Sequence, residues 1–376
     1  MKAGCPLTDR RRMIRARGRL LSFCVFSLSS SLVASSSPAL WAPPAVPFAS
    51  RLRSTAVNMS AKRDTRSQGM AGTLFQFKSQ DANLQAFESG PQQAERKLIV
   101  LGGLSDGMLA CPYVPQLGEA LAAEGWSLVQ ANLRSSYNQW GFGSLDQDVE
   151  DLTALIEALL TERGAERLAV CGHSTGSQII AHLMRTRPHS KVTHVIMQGG
   201  VSDRESDDVE EKRVRNDALA LARTIASSSP SGGKEMMPRE TTWAPVTAQR
   251  FMDLNEAGGT DDYFSSDLND AQLAQRFAGF YNDANVLIAY SAEDEYVPAS
   301  VDKTRLLQRL ATAMKSGGAV ESAGGSAAGG KKDVPVIGAL LVRKGDHALY
   351  PEESADEFVA AAVAFLNGRH VPNMLT

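Results

Sequence analysis

Cysteine is scarce in this chain of 376 residues. Of its four cysteines, Cys5 and Cys24 lie within the first 68 residues, and only Cys111 and Cys171 lie beyond them. Two cysteines cannot form the framework of several disulfides that stabilises small secreted domains. We therefore expect the fold to depend on a hydrophobic core, for which 43% of the residues are suited.

Other features are also missing beyond residue 68. No run approaches the ~20 apolar residues that a membrane-spanning helix needs. The six histidines of the chain include no pair at the i, i+4 spacing of a helical metal site, so we expect neither a metal nor another cofactor. Residues 69–376 carry a net charge of −13 without a basic stripe, which argues against nucleic acid as a partner.

Residues 1–68 differ from the remainder, with a net charge of +10. Arginines at 10–17 precede a short apolar run at 20–28, as in a signal peptide, whereas the Ser- and Arg-rich continuation is typical of a transit peptide. Together they resemble the two-part leaders of plastids that are reached through the secretory route. We expect a leader that is disordered or removed, and a plastid location. The alternatives are a cytoplasmic protein translated from an internal methionine, a mitochondrial protein and a secreted one.

Strand-like and helix-like segments alternate after residue 70. This order predicts an α/β fold with a mostly parallel central sheet and helices on both faces. The expected strands are 73–78, 84–88, 97–101, 126–133, 167–171, 192–197, 286–291 and 336–342. The expected helices are 114–123, an amphipathic one that Ser144 caps, one from 177, one after Pro298, and 355–366.

Two insertions interrupt this alternation. Residues 201–282 are charged, helix-prone and too long for a simple loop, so we expect a cap inserted into a core of residues 69–200 and 283–370. Its aromatic residues Trp243, Phe251 and Phe264 either line a pocket or pack the cap onto the sheet. Residues 316–333 are rich in Gly, Ala and Ser, and we expect a disordered surface loop within the core.

The most informative motif is Gly-His-Ser-Thr-Gly at positions 172–176. It lies between a predicted buried strand and a predicted helix, which is the context of the nucleophile elbow in the α/β-hydrolase fold. Small residues on both sides of Ser174 allow a strained turn, and the following helix N-terminus favours negative charge. We therefore expect Ser174 to be a nucleophile.

The acid and the base are expected after later strands. Asp294 follows the strand at 286–291 and His347 follows the strand at 336–342, which gives the chain order Ser, Asp, His of this fold. His347 is predicted to be the base and Asp294 the residue that orients it. Glu293 and Glu295 are the alternative acids, but Asp is usual at this position.

The oxyanion needs two backbone N–H donors. One is expected from Thr175, directly after the nucleophile. The other is expected from the glycine-rich loop that follows the strand at 97–101, where we favour the N–H of Leu104.

Several segments resemble a eukaryotic α/β-hydrolase family of largely uncharacterised fungal, plant and algal proteins. They are Leu-Gly-Gly-Leu-Ser-Asp-Gly-Met from 101, Arg-Ser-Ser-Tyr-Asn-Gln-Trp-Gly from 134, and Gly-His-Ser-Thr-Gly-Ser-Gln from 172. The family includes fungal siderophore esterases. The resemblance implies ester hydrolysis through Ser174, Asp294 and His347, and it covers residues 70–200 and 283–366. It does not extend to the cap, so it does not fix the substrate.

We therefore expect a serine esterase that hydrolyses a small-molecule ester through an acyl-enzyme. An acyltransferase or a lipase-like enzyme is the alternative reaction class, although the charged cap is unlike that of an interfacial lipase. A catalytically silent receptor or interaction module is the alternative outside enzymes, and an intact triad argues against it.

Overall fold

The structure is a computed structural model that describes residues 69–278, 280, 284–321 and 335–374. The predicted leader, residues 1–68, lies outside the described residues. Within these ranges, no helix is long and apolar enough to cross a membrane.

Eight strands form one sheet in the order β1-β2-β4-β3-β5-β6-β7-β8. The pairs β1/β2 and β2/β4 are antiparallel, and every other neighbouring pair is parallel. The strands are β1 (Gly72–Ser79), β2 (Ala82–Ser89), β3 (Arg96–Leu101), β4 (Trp126–Asn132), β5 (Arg167–His173), β6 (Val192–Gln198), β7 (Asn285–Ser291) and β8 (Ile337–Val342).

Helices cover both faces of this sheet, as the alternation of segments predicted. They are α1 (Val114–Ala123), α2 (Leu145–Thr161), α3 (Thr175–Thr186), α4 (Val209–Ser227), α5 (Ala248–Asn255), α6 (Asp270–Arg276), α7 (Lys303–Glu321) and α8 (Glu352–Leu366). Buried residues of α1 and α8 pack on one face of the sheet, and those of α2, α3 and α7 pack on the other. Because the parallel strands are covered on both sides, they are buried along nearly their whole length.

Helix α2 shows how the local sequence produces an element that supports the site. The Ser144 hydroxyl accepts a hydrogen bond from the Gln147 N–H at 3.2 Å and caps the helix, as predicted. Leu152, Ile156 and Leu159 then recur on one face and are fully buried against the sheet. The first turn of α2 thereby acquires a fixed position beside the loop that follows β4.

The inserted segment after β6 contains helices α4, α5 and α6. The residues of α4 and α5, together with those of the connection between them, build a small hydrophobic cluster of their own around Trp140. Trp140 belongs to a short 3₁₀ helix, Tyr137–Phe142, which precedes α2. The cap therefore packs around a side chain that the core supplies.

The three cap aromatics have three different environments. Phe264 is buried in the main core and contacts the rings of Tyr263 and Phe277. Phe251 is buried in the cap cluster. Trp243 is 58% exposed and stacks on Trp140 with a centroid distance of 5.4 Å. Phe251 and Phe264 are therefore packing residues, the first in the cap cluster and the second in the main core.

The low-complexity segment 316–333 overlaps the end of α7. Helix α7 continues to Glu321, so residues 316–321 are helical. The expectation of a loop does not hold for these six residues, because the helix-prone sequence of α7 extends into the start of the small-residue segment. Residues 322–333 lie outside the described residues.

Replacing the buried and the exposed aromatic residues should separate their contributions to stability. Phe264→Ala should lower the free energy of unfolding by about 3–5 kcal/mol, since it removes a fully buried ring. Trp243→Ala should cost about 1 kcal/mol or less, because only a half-exposed stacking contact is lost. Urea denaturation of both variants measures these differences. Equal losses in the two variants would contradict the assignment of Phe264 to the core.

Candidate active site

Ser174 lies at the end of β5, where the chain turns sharply into α3. Its backbone has φ +53° and ψ −120°, a conformation that non-glycine residues rarely adopt. A Cβ on Gly172 would lie 2.3 Å from the carbonyl carbon of Gly176, and a Cβ on Gly176 would lie 2.7 Å from the carbonyl oxygen of Gly102. The turn is therefore possible only because the positions two residues before and after Ser174 are glycine.

His347 and Asp294 meet beside this turn, on the loops that follow β8 and β7. Nδ1 of His347 lies 2.9 Å from Oδ2 of Asp294, and both residues are buried. Oδ1 of Asp294 accepts a hydrogen bond from the Tyr296 N–H at 3.0 Å. A buried carboxylate that receives Nδ1–H fixes the tautomer of the ring and leaves Nε2 as its basic nitrogen.

The two glutamates that flank Asp294 have other positions. Glu293 is exposed to solvent. Glu295 accepts a hydrogen bond from the backbone N–H of His347 at 2.9 Å, so it holds the main chain of that residue and not its ring. Of the three candidate acids, Asp294 is the one hydrogen-bonded to the imidazole.

Gln198 connects the Ser174 turn with the His347 loop. Its carbonyl oxygen accepts a hydrogen bond from the Ser174 N–H at 2.9 Å, and its Nε2 donates to the carbonyl oxygen of His347, also at 2.9 Å. The side chain is buried at the end of β6, between the two loops. Within the described residues, the Ser174 hydroxyl itself donates no hydrogen bond, so Gln198 links the two residues through their backbones.

His173 packs against the proposed base. Its ring centroid lies 4.7 Å from that of His347, and its Nδ1 lies 2.7 Å from Oε1 of Gln198. Burial, together with the neighbouring His347, lowers the pKa of His173 to about 3. The ring is therefore neutral near pH 7 and adds no second positive charge beside His347.

A tight turn after β3 faces Ser174. The Gly103 N–H donates to Oδ2 of Asp106 at 2.8 Å, and the Asp106 N–H donates back to the Gly103 carbonyl at 3.1 Å. A Cβ on Gly103 would lie 2.8 Å from the Cβ of Ser174, so the loop can approach Ser174 this closely only with glycine at position 103. The Gly103 N–H is already used, whereas the N–H groups of Leu104 and Thr175 donate to no other group in the described chain.

A cavity of about 30 Å³ lies against this turn. Its walls come from β3 and the following loop, from the segment after β4, from the starts of α2 and α3, and from α5 of the cap. The polar lining groups include Ser135, Asp148, Thr175 and Arg250, while Ile179 and Leu133 supply apolar wall.

Asp148 and Arg250 are buried ionisable groups in the wall of this cavity. Arg250 is 2% exposed and donates from Nη1 to both oxygens of Asp261, at 2.7 and 2.8 Å, and from Nε to the Trp140 carbonyl oxygen at 3.1 Å. Asp148 is 1% exposed and accepts a hydrogen bond of 2.5 Å from the Ser135 hydroxyl. Burial raises the pKa of Asp148 to about 7, because Arg250 and Ser135 offset the cost of desolvation only in part.

Comparison with known proteins identifies the family. Residues 59–341 match the model of a family described as a protein of unknown function, DUF1749. The chain belongs to the DUF1749 family. The fusarinine C esterase sidJ of Aspergillus fumigatus is 32% identical over 273 residues, which covers 59% of this chain and 77% of that protein.

Two solved structures place the DUF1749 chain among the α/β-hydrolases. The siderophore hydrolase EstB of A. fumigatus aligns with a TM-score of 0.62 and 26% identity over 80% of this chain and 98% of its own. An α/β-hydrolase-fold protein of unknown function aligns with a TM-score of 0.56 and 19% identity over 80% and 97%. The fold is thus that of an α/β-hydrolase, as predicted, and with these esterase relatives the chain is an ester hydrolase.

Several residues around the site in this DUF1749 member are absent from the sequence-based prediction. Gln198 bonds to the carbonyl of His347, His173 packs against its ring, and the ring centroid of Tyr296 lies 4.6 Å from that of His347. Asp148 and Arg250 are 102 positions apart, on α2 and α5. For Asp148 and Arg250, the only signal in the sequence is that a charged residue stands at a helical position where the pattern predicts a buried residue.

The buried Asp148 should make stability depend on pH. Its pKa is about 7 in the folded state against an ordinary 3.8, so the folded state binds the proton more tightly between these values. That contribution to stability is complete below pH 4 and is lost as the pH rises to 7, by at most about 1.4 kcal/mol per pH unit. Asp148→Asn should therefore gain stability relative to wild type as the pH is raised from 5 to 8.

Denaturant midpoints at a series of pH values measure this gain. Asp81→Asn, in the exposed turn between β1 and β2, is the matched control and should follow wild type. Parallel pH curves for wild type and Asp148→Asn would show that this carboxyl titrates alike in the folded and unfolded chain.

Proposed function

We propose that the chain is a serine esterase in which Ser174, His347 and Asp294 form the catalytic triad. The observation that carries the proposal is the 2.9 Å hydrogen bond between Nδ1 of His347 and Asp294, next to a serine in a strained elbow. Three segments that are far apart in the chain supply these groups, in the order that the fold requires.

The reaction follows from the roles of these groups. Nε2 of His347 takes the proton of the Ser174 hydroxyl as its oxygen attacks the ester carbonyl carbon, and the carbonyl electrons move to the oxygen. Asp294 stabilises the imidazolium that results. The imidazolium then gives its proton to the leaving alcohol, and an acyl-enzyme remains. A water molecule, deprotonated by the same nitrogen, releases the carboxylic acid and restores Ser174.

The negative charge on the carbonyl oxygen needs stabilisation in the tetrahedral intermediate. The backbone N–H groups of Leu104 and Thr175 are the donors that we assign to it. Thr175 is the first residue of α3, so its N–H also carries the positive end of a helix of 12 residues. The turn closed by Asp106 holds Leu104 in place during this step.

The substrate class is a carboxylic ester of small or medium size. Fusarinine C, the ester in the name of one relative, belongs in the first substrate panel together with p-nitrophenyl esters of increasing acyl length. The cavity of about 30 Å³ at the loop is too small for a long acyl chain, so we expect the short acyl esters to be hydrolysed fastest.

Replacing the nucleophile tests the proposal directly. Ser174→Ala should lower kcat for a short p-nitrophenyl ester by at least about 10³-fold, since no other group can form the acyl-enzyme. Its melting temperature should stay close to that of wild type. A fluorophosphonate probe should label wild type and not the variant. Activity above a few per cent of wild type in Ser174→Ala would refute the assignment.

Replacing the acid should distinguish Asp294 from its neighbours. Asp294→Asn should lower kcat by about 10⁴-fold, because an amide at this position favours the wrong tautomer of His347. Glu293→Gln is the matched control, one residue away and exposed, and should retain nearly full activity. The two kcat values are compared at one saturating ester concentration. A larger loss in Glu293→Gln than in Asp294→Asn would move the acid to Glu293.

A further inference from the structure

The cavity against the Gly103 turn holds polar groups that the hydrolytic steps do not use. Asp148 and Arg250 line it, yet neither contacts Ser174, His347 or Asp294. We propose that this cavity binds a hydroxyl group on the acyl part of the ester, so that the enzyme selects hydroxyacyl esters over plain alkanoyl esters. This inference rests on the proposed triad.

The position of the cavity assigns it to the acyl side of the substrate. The reacting carbon carries the Ser174 oxygen, the oxyanion, the leaving alcohol and the acyl chain. The leaving oxygen must face Nε2 of His347, and the oxyanion must face the N–H groups of Leu104 and Thr175. The cavity is lined by Leu104 and Thr175, and Ser174, His347 and Tyr296 do not line it. It thus lies beside the proposed oxyanion donors and away from the leaving alcohol, and we assign it to the acyl chain.

The hydrogen-bonding groups in the wall are incompletely satisfied. In the described part of the chain, the Ser135 hydroxyl is the only group that donates to Asp148, and it contacts Oδ1. Arg250 uses Nη1 and Nε, and its Nη2 donates to no other residue in those ranges. One wall thus offers a carboxyl oxygen and another a guanidinium N–H. A ligand that supplies hydrogen bonds to these two atoms inside the cavity therefore binds with advantage over one that cannot.

A hydroxyl group matches this pair of walls. It can donate to the second oxygen of Asp148 and accept from Arg250, whereas an alkyl group can do neither. A volume of about 30 Å³ admits a group of one or two heavy atoms, which is the size of a hydroxyl on a short chain. In the free enzyme, a water molecule can occupy the same position, and the substrate hydroxyl would replace it with equivalent hydrogen bonds.

The expected preference for hydroxyacyl esters follows from the hydrogen bonds that a plain alkanoyl ester cannot make in the cavity. A plain alkyl chain in the cavity displaces water and supplies no hydrogen bond to the second carboxyl oxygen of Asp148 or to Nη2 of Arg250. Sites built to hydrogen-bond a substrate hydroxyl discriminate strongly against the analogue that lacks it. We expect kcat/KM for the better of the p-nitrophenyl 2- and 3-hydroxybutyrates to exceed that for p-nitrophenyl butyrate by at least about tenfold.

The wild-type enzyme alone can test this expectation. The kcat/KM values of the butyrate, the two hydroxybutyrates and the corresponding methoxybutyrates are compared. The hydroxyl advantage should disappear in the methyl ethers, which are larger and cannot donate to Asp148. Equal values for butyrate and both hydroxybutyrates would overturn the subsite and leave the triad intact. If no ester in the panel is hydrolysed, it is the proposed serine chemistry that fails.

A variant then assigns the preference to this cavity. Asp148→Leu replaces the carboxyl with an apolar group, and the ratio of hydroxybutyrate to butyrate kcat/KM should fall to about one. The ratio is independent of the fraction of enzyme that is folded, because both esters report on the same active molecules. Asp203→Asn is the matched control: Asp203 accepts a hydrogen bond from Gln178 and faces the same Arg250, but it does not line the cavity.

The Asp203→Asn control should keep the wild-type ratio of hydroxybutyrate to butyrate kcat/KM. A wild-type preference that persists undiminished in Asp148→Leu would place the hydroxyl elsewhere and refute the subsite. If the ratio of hydroxybutyrate to butyrate kcat/KM falls in Asp203→Asn as far as in Asp148→Leu, the subsite is likewise refuted. The loss would then come from removing any buried charge near Arg250 and not from removing a ligand of the substrate hydroxyl.

Discussion

The backbone of Ser174 is the constraint from which the geometry of the site follows. With φ at +53°, the chain reverses direction within one residue, and the hydroxyl emerges between the end of a strand and the start of a helix. Such a conformation is unfavourable by itself and persists only where the surroundings determine it. Here the Gln198 carbonyl fixes the Ser174 N–H, and glycines at 103, 172 and 176 let three backbones approach without side chains between them.

The loops around this turn are held by hydrogen bonds between side chains and the main chain more than by contacts between the side chains of the proposed triad. Gln198 donates to the carbonyl of His347, Glu295 accepts from its N–H, and Asp106 closes the turn that carries Leu104. In the proposed reaction, this arrangement leaves the side chains of Ser174 and His347 free to change partners, while the distance between their main chains stays fixed. Preorganisation of this kind reduces the reorganisation that the transition state requires.

Sequence patterns were sufficient for the sheet, the helices on both faces and the elbow. Those features depend on local periodicity and on glycines at fixed spacing, which a single sequence displays. His347 and Asp294 could be selected because the fold restricts them to loops after particular strands. Gln198 could not, since a glutamine at the end of an apolar strand has no pattern of its own. Asp148 and Arg250 come together only when α5 of the cap reaches the first turn of α2, which no local pattern encodes.

The Trp140 side chain also has a consequence for how the molecule is assembled. It precedes α2 in the chain, yet it fills the centre of the cluster formed by α4 and α5, with Trp243 stacked on it and Arg250 bonded to its carbonyl oxygen. The β4–α2 connection and the cap share Trp140, and Phe251 of α5 packs in the same cluster. We therefore expect the folding of α4 and α5 to be coupled to that of the sheet.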